Sequence, residues 1–263
     1  MANFDFDQAE GLRRMLAGPR PRIVTFLSVL RDEEKSAMLA NLGASLVQAG
    51  SDVLLVDARS VSSGVASRFG ATRRATLLDV ARQERALDEV IQPVAQGFGL
   101  ATLARGRQRS ASPDAAESQR LANAFDLLAR QTGVVMVDGE LDANDAFPVP
   151  AMADGEIVVQ VAPAAASIKS AYCLIKRLNA CLGRRSFGVL VTGASEQEAH
   201  LVYENIARTA SRYLAIQLNS MGSVPADEHL NRAARLGRSV IDAFPLAGAS
   251  VAFRRLAGQF GLS

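Results

Sequence analysis

Tryptophan is absent from this sequence, aromatic residues make up 5% of it, and the 263 residues include only two cysteines and two histidines. Cys173 and Cys181 have no histidine or cysteine companion at metal-ligand spacing, so neither a zinc site nor a disulfide framework is encoded. They read as two small buried hydrophobes in a reducing compartment. His200 and His229 stand alone on predicted helices or loops, which leaves them surface or packing roles. The formal net charge is +2 with the signs interspersed, so there is no basic field for nucleic acid, and none is expected as a partner. The basic stretch Arg105–Arg109 reads as a solvated loop. No apolar run approaches the ~18–20 residues of a membrane span, and the opening MANFDFDQAE is acidic rather than signal-like. A cytoplasmic location is expected.

Hydrophobic residues form 49% of the chain, mostly alanine, valine and leucine, a composition suited to a parallel sheet covered by helices. The opening pattern lies in Pro21–Gly50. A buried strand, Ile23–Leu27, is followed by a turn and a long helix with Met38, Leu42, Leu46 and Ala49 at helical spacing. A second apolar strand, Val53–Val56, ends in Asp57. This order opens a phosphate-binding α/β domain, in which backbone N–H groups at a helix N-terminus cradle phosphate. The turn itself departs from G-x-x-x-x-G-K-[ST]. Lys35 and Ser36 stand in place, but Glu34 precedes them, and the loop reads Val29, Leu30, Arg31, Asp32, Glu33. Without glycine the backbone cannot fold into an anion nest. The acids instead favour the positive end of the helix, with Asp32 as its cap. On this reading the turn is a P-loop relic and Lys35 and Ser36 are an exposed first-turn pair.

Residues Phe4–Ala17 form an amphipathic arm, joined by the stiff Gly18–Pro21 linker to the body of the chain. After Asp57 the pattern predicts a Ser/Gly-rich loop, helices near Leu77–Arg82 and Leu87–Gln96, a strand at Phe98–Leu103 and a helix at Glu117–Arg130. The strand Gly133–Val137 then ends in Asp138. At the ends of strands Asp57 and Asp138 are equally consistent with Mg²⁺ binding and with fold-stabilising acids. The rest alternates as strand Glu156–Val161, helix Ser167–Leu182, strand Phe187–Val191, helix Glu196–Tyr213, strand Leu218–Ser223, and helices near Leu230–Leu236 and Val251–Phe260. Such alternation predicts one doubly wound, mostly parallel α/β sheet over residues 21–263, preceded by a helical arm over residues 1–20.

Four stretches resemble the MinD/ParA class of deviant Walker ATPases, which share the P-loop NTPase fold. Within it they resemble the flagellar-number regulators FlhG or FleN. They are Asp7–Arg13 (DQAEGLR), Asp52–Ala58 with the downstream ATLLDVARQERALDEVI, Ala166–Leu178 following Pro163, and Asn219–Pro245. In that family the D-Q-A-x-x-L-R motif engages the signal-recognition-type GTPase FlhF and stimulates its GTP hydrolysis. The resemblance therefore assigns partner binding to Asp7, Gln8, Ala9, Leu12 and Arg13, with Gln8 and Arg13 orienting catalytic groups of the partner.

It also places ATP or ADP at Lys35, Ser36, Asp57 and Asp138, with Mg²⁺ on Ser36 and Asp138, if nucleotide binds. The departures fall on the catalytic parts. Leu30 holds the position of the lysine that reaches across a nucleotide-sandwich dimer. Arg59 replaces the acid that activates the attacking water, and Asp138–Asp142 replaces the D-x-P-A-G switch. Val191-Thr192-Gly193 lacks the asparagine that reads adenine. Because hydrolysis needs metal, charge neutralisation and an oriented water together, no catalytic residue is assigned and no cofactor is required.

The resemblance then implies a non-hydrolysing regulator of flagellar number or placement. An ATP-binding switch that dimerises with nucleotide, and an adaptor of another polar-localisation or secretion system, remain alternatives. In MinD relatives a terminal amphipathic helix binds membrane. Here Phe253, Leu256 and Phe260 share a face flanked by Arg254 and Arg255, which leaves open weak attachment at the inner membrane or cell pole. The preferred reading docks it on the sheet as a last helix of the core.

Overall fold

The computed structural model describes residues 22–59, 64–71, 75–105 and 114–261. The arm Phe4–Ala17, its linker, the candidate contacts Asp7–Arg13, most of the Ser/Gly-rich loop after Asp57 and the stretch Gly106–Arg109 lie outside them. Eight strands form one sheet: β1 (Arg22–Ser28), β2 (Val53–Asp57), β3 (Gln92–Pro93), β4 (Gly99–Thr102), β5 (Val134–Asp138), β6 (Glu156–Val161), β7 (Phe187–Thr192) and β8 (Leu218–Val224). Their order is β3-β4-β2-β5-β1-β6-β7-β8. All neighbours run parallel except the two-residue β3, which is antiparallel to β4. Strands β2 and β5 are buried along their whole length. That is the expected consequence of covering a parallel sheet on both faces.

Helices α1 (Asp32–Gln48), α2 (Val65–Arg68), α3 (Leu77–Ala81), α4 (Ala115–Arg130), α5 (Ala165–Leu182), α6 (Glu196–Leu214), α7 (Glu228–Arg235), α8 (Val240–Ala243) and α9 (Gly248–Gly261) complete the described layers. One face of the sheet carries the apolar sides of α3, α4, α5 and α6. Here Leu77, Phe125, Ile175 and Ile206 meet Val135, Val159 and Val189. The other face carries α1, α8 and α9, with Leu39, Leu42, Ile241 and Phe253 against Val24, Leu55 and Leu190. Asn41 joins this second layer internally. Its Nδ2 donates to the Ala37 carbonyl at 2.8 Å and its Oδ1 accepts from the Val240 amide at 2.7 Å.

Three sequence expectations are corrected here. The stretch Leu87–Gln96 is a single 3-10 turn, Leu87–Glu89, followed by β3. Pro93 has no N–H to continue a helix, and Gly97 turns the chain into β4 at φ +92°. Cys173 and Cys181 are exposed, because the buried stripe of α5 runs through Ala171, Ile175 and Leu178. The third is the membrane alternative for the terminal helix, where the preferred docked reading holds.

Phe253, Leu256 and Phe260 offer no face to a membrane: all three are buried in the second layer. Phe260 meets Phe26 edge-on at 5.9 Å and lies beneath the Arg22 guanidinium at 5.3 Å. The flanking cations are held as well. Arg254 donates to the Pro245 carbonyl at 2.5 Å, and Arg255 pairs with Glu196 at 2.5 Å. No helix among the described residues is long and apolar enough to cross a membrane.

Asp227 fastens the start of α9 to the loop after β8. Its Oδ2 accepts from the Ala249 amide at 2.9 Å and its Oδ1 from the His229 amide at 2.9 Å. The His229 ring lies 2.8 Å from that same Oδ1. Burial pushes the Asp227 carboxyl up, but these donors outweigh it and hold it below the usual carboxylate range. A folded-state pKa below the unfolded value of about 3.9 stabilises the fold fully above that value, and the benefit is lost as pH falls through the folded pKa.

Two outcomes follow from this packing. In urea unfolding, Phe260→Ala lowers the unfolding free energy by roughly 3–5 kcal/mol, whereas a membrane-facing phenylalanine would leave it nearly unchanged. When the same measurement is repeated from pH 6 down to pH 3, the stability lost on acidification is smaller in Asp227→Asn than in the parent, because the variant has no carboxylate to protonate. Equal acid losses in the two proteins would contradict the assignment.

Candidate functional site at the carboxyl edge of the sheet

Strand β1 lies between β5 and β6, so the chain leaves β1 at the point where the strand order reverses. In open α/β sheets ligands bind in the crevice at such points, outside the carboxyl ends of the strands. The ends of β1, β2 and β5 converge there, bringing together Lys35, Asp57, Arg59 and Asp138. Direct pairing of Asp57 with Asp138 across β2 and β5 places the two acids side by side.

The amides of the turn from β1 to α1 are bonded to β6 and to side chains at either end of the turn. Only Val29, Leu30 and Arg31 separate strand from helix. The Val29 amide donates to the Gln160 carbonyl at 3.4 Å, and the Leu30 amide to Ser28 Oγ at 3.1 Å. The Arg31 amide donates to Glu34 Oε2 at 3.2 Å. Helix α1 starts at Asp32, one turn before Lys35, and the amides of Glu34 and Lys35 already donate to the Arg31 carbonyl at 3.1 and 3.2 Å. The three acids Asp32, Glu33 and Glu34 in that first turn neutralise the positive end of the helix. The cap is Arg31 rather than Asp32.

Lys35 and Ser36 are not the exposed pair that the acidic turn suggests. They are 2% and 4% exposed. From the first turns of α1 Lys35 faces the sheet, where its Nζ lies 2.5 Å from Asp138 Oδ1 and donates to the Gly139 carbonyl at 2.6 Å. Asp138 Oδ2 accepts from the Val65 amide at 3.0 Å. Asp57 holds the neighbouring turn, accepting from the Ala66 amide at 2.9 Å and the Arg59 amide at 3.2 Å. Gly64 packs so closely on this carboxylate that any Cβ would collide with both of its oxygens. Both acids therefore serve the start of α2.

Arg59, which stands where an acid is expected, spans two segments. Its Nη1 lies 2.5 Å from Asp32 Oδ1 and its Nε 3.3 Å from Glu140 Oε2, with the side chain 13% exposed. Burial pulls the Arg59 guanidinium down, but Asp32, Asp138 and Glu140 outweigh it and hold the group above its ordinary value. Glu140 is the residue of this site not singled out from the sequence. Its signal was a charge opposite to Arg59 at another altered strand end.

A metal–triphosphate does not fit these residues. The amides of Glu34 and Lys35 are committed to the helix, Lys35 is committed to Asp138, and both Asp138 oxygens are engaged. Ser36 Oγ, Asp138 Oδ1 and Gln160 Oε1 are buried without a hydrogen-bond partner, and the only charged one of the three, Asp138 Oδ1, faces the Lys35 ammonium, whereas a hard cation needs several oxygen ligands. Among the described residues no group of three or more His, Cys, Asp or Glu is placed to hold a metal ion. A cleft of about 390 Å³ does remain beside this turn, bounded by Glu34, Met38, Gln160, Thr192 and Pro225.

Removing one partner of the buried pair strands the other charge, which costs about 3–5 kcal/mol, whereas replacing both costs much less. Lys35→Met should therefore destabilise the protein by that amount in urea unfolding. The double variant Lys35→Met/Asp138→Asn should lose clearly less than the sum of the two single changes. Strict additivity would mean that the two groups do not interact.

No protein-family model matches this chain. The antiactivator FleN of Pseudomonas aeruginosa is 30% identical over 224 residues, which cover 85% of this chain and 80% of that protein. Among solved structures, the septum site-determining protein MinD of Pyrococcus horikoshii, complexed with Mg-ADP, superposes with a TM-score of 0.68 at 17% identity. The match covers 91% of this chain and 95% of that one. A ParA family ATPase from Chlorobium tepidum gives 0.67 at 17% identity, covering 90% and 98%. The structural neighbours establish the MinD/ParA form of the P-loop fold, and the curated relative, with its coverage, establishes the narrower kinship: the chain belongs to the FleN family of MinD/ParA-type proteins.

Proposed function

We propose that this chain is a MinD-type regulatory protein of flagellar number or placement that acts without hydrolysing ATP. Kinship with the antiactivator FleN supports the regulatory class. The observation that carries the non-hydrolysing part is the burial of Lys35 against Asp138 at 2.5 Å, together with a β1–α1 turn whose Val29, Leu30 and Arg31 amides already donate to Gln160, Ser28 and Glu34. A lysine and an acid that neutralise each other in a dry interior cannot also serve phosphate and metal without breaking that pair.

The output would then reside in the N-terminal segment. Asp7, Gln8, Ala9, Leu12 and Arg13 would bind an FlhF-type GTPase and stimulate its hydrolysis, with residues 1–20 as the partner-binding unit and residues 21–263 as its scaffold. The protein would work in the cytoplasm, taking any polar position from its partner, and its homodimer would not require nucleotide. The rival reading is an ATP-gated switch, favoured by the open 390 Å³ cleft beside α1 and the unpartnered Ser36 hydroxyl.

Turnover of an FlhF-type GTPase, measured with the full chain and with a variant lacking residues 1–20, in the presence and absence of Mg-ATP, separates these readings. The expected result is stimulation by the full chain that is indifferent to ATP and abolished by the truncation. Stimulation only with ATP would transfer the reading to the nucleotide switch. No stimulation under either condition would overturn the GTPase partnership.

A further inference from the structure

The segments that leave β1, β2 and β5 are tied to one another by side-chain cations. Arg59, at the end of β2, reaches Asp32 at the start of α1 and Glu140 after β5, at 2.5 and 3.3 Å. Beneath it Lys35 of α1 holds Asp138 at 2.5 Å and the Gly139 carbonyl at 2.6 Å. Three loops from three different strands thus meet at two positive charges, each largely withdrawn from water. A guanidinium suits this task because its N–H donors lie in a rigid plane and can serve two carboxylates at once, whereas an ammonium is a single point charge.

We infer that Arg59 is an internal latch: its guanidinium, bridging Asp32 and Glu140, positions the segment after β5 and holds it in a single arrangement without any bound small molecule. Separate nitrogens serve the two carboxylates, Nη1 for Asp32 and Nε for Glu140, so the bridge runs through the arginine. The positioned segment is built from local turns, with the Asp142 amide bonded to the Ala146 carbonyl at 2.9 Å and the Asn144 and Ala146 amides bonded to Asp142 Oδ1 at 2.8 and 2.9 Å. It also borders a cleft of about 350 Å³ shared by Leu30, Asp32, Arg59, Leu141, Leu174 and Arg177. Its outer end is joined to α5 through Arg177, whose Nε lies 2.7 Å from Asp145 Oδ1. The latch therefore sets the shape of one wall of that cleft.

This assignment goes beyond the non-hydrolysing reading and does not depend on the GTPase partnership. The turnover assay can fail while the latch stands, and the reverse also holds. Hydrogen exchange of the full chain, read by mass spectrometry over residues 139–147, tests it with three variants. Arg59→Met keeps the length of the side chain and removes the charge, Arg59→Lys keeps the charge and loses the fork, and Arg82→Met breaks the separate Arg82–Glu117 pair between α3 and α4. Arg59→Met should accelerate exchange over 139–147 by about tenfold or more while leaving Ala115–Arg130 unchanged, with Arg59→Lys in between. Arg82→Met should leave 139–147 at the parent rate. Parent-like exchange over 139–147 in Arg59→Met would overturn the latch. If Arg59→Met does not fold, Arg59→Lys decides: faster exchange confined to 139–147 supports the bridge, and parent-like exchange overturns it.

Discussion

The buried pair between Lys35 and Asp138 organises everything around it. Two charges withdrawn from water are tolerable only when they are paired at close range and supported by further hydrogen bonds. Lys35 has the carboxylate and the Gly139 carbonyl, and Asp138 has the ammonium and the Val65 amide. This requires β1 and β5 to be neighbours, α1 to face Lys35 toward the sheet from its first turns, and the turn after β2 to fold back over the sheet. The strand order provides the first condition, the short Val29–Arg31 connection the second, and Asp57 with Gly64 the third.

Around that pair the carboxyl edge is built from charges that the chain itself supplies. Arg59 answers Asp32 and Glu140, Glu34 caps the Arg31 amide, and the first-turn acids meet the dipole of α1. The same fold in solved relatives such as the P. horikoshii MinD carries Mg-ADP, so the architecture is compatible with a nucleotide. In this chain the carboxyl edge is occupied by its own side chains at the strand ends, and function resides in such sites rather than in folds. The terminal helix illustrates the same point. Its amphipathic pattern is compatible with a lipid surface, yet α9 packs its apolar face on α1 and the sheet, closing the second layer.

The alternation of buried strands and periodic helices was legible from residue to residue, because each element declares its own period of burial. Thus β2, β5, β6 and the helices over 165–182 and 196–214 lie within a few residues of their predicted places. The absence of glycine from the turn between β1 and α1 was equally plain, since the residue is either present or not. The misreadings share another origin. Lys35 and Ser36 looked exposed because their neighbours in sequence are acidic and solvated. Leu87–Gln96 looked helical because its apolar spacing outweighed one proline. Cys173 and Cys181 looked buried because residue type was a stronger guide than the face of α5.

Composition and order therefore specified the α/β architecture, the kinship with MinD/ParA proteins and the absence of glycine from the Val29–Glu34 turn, all of which depend on local periodicity or on the chemistry of single residues. The register of α1 against the sheet, the inward turn of Lys35, the Arg59 bridge to Glu140 and the burial of Phe253, Leu256 and Phe260 depend on segments far apart in the chain. A cation and its carboxylate separated by 81 or 103 positions, as Arg59–Glu140 and Lys35–Asp138 are, have no local signature. Their pairing is decided only when parallel strands bring their ends together, withdrawing the charges from water and placing their partners within reach.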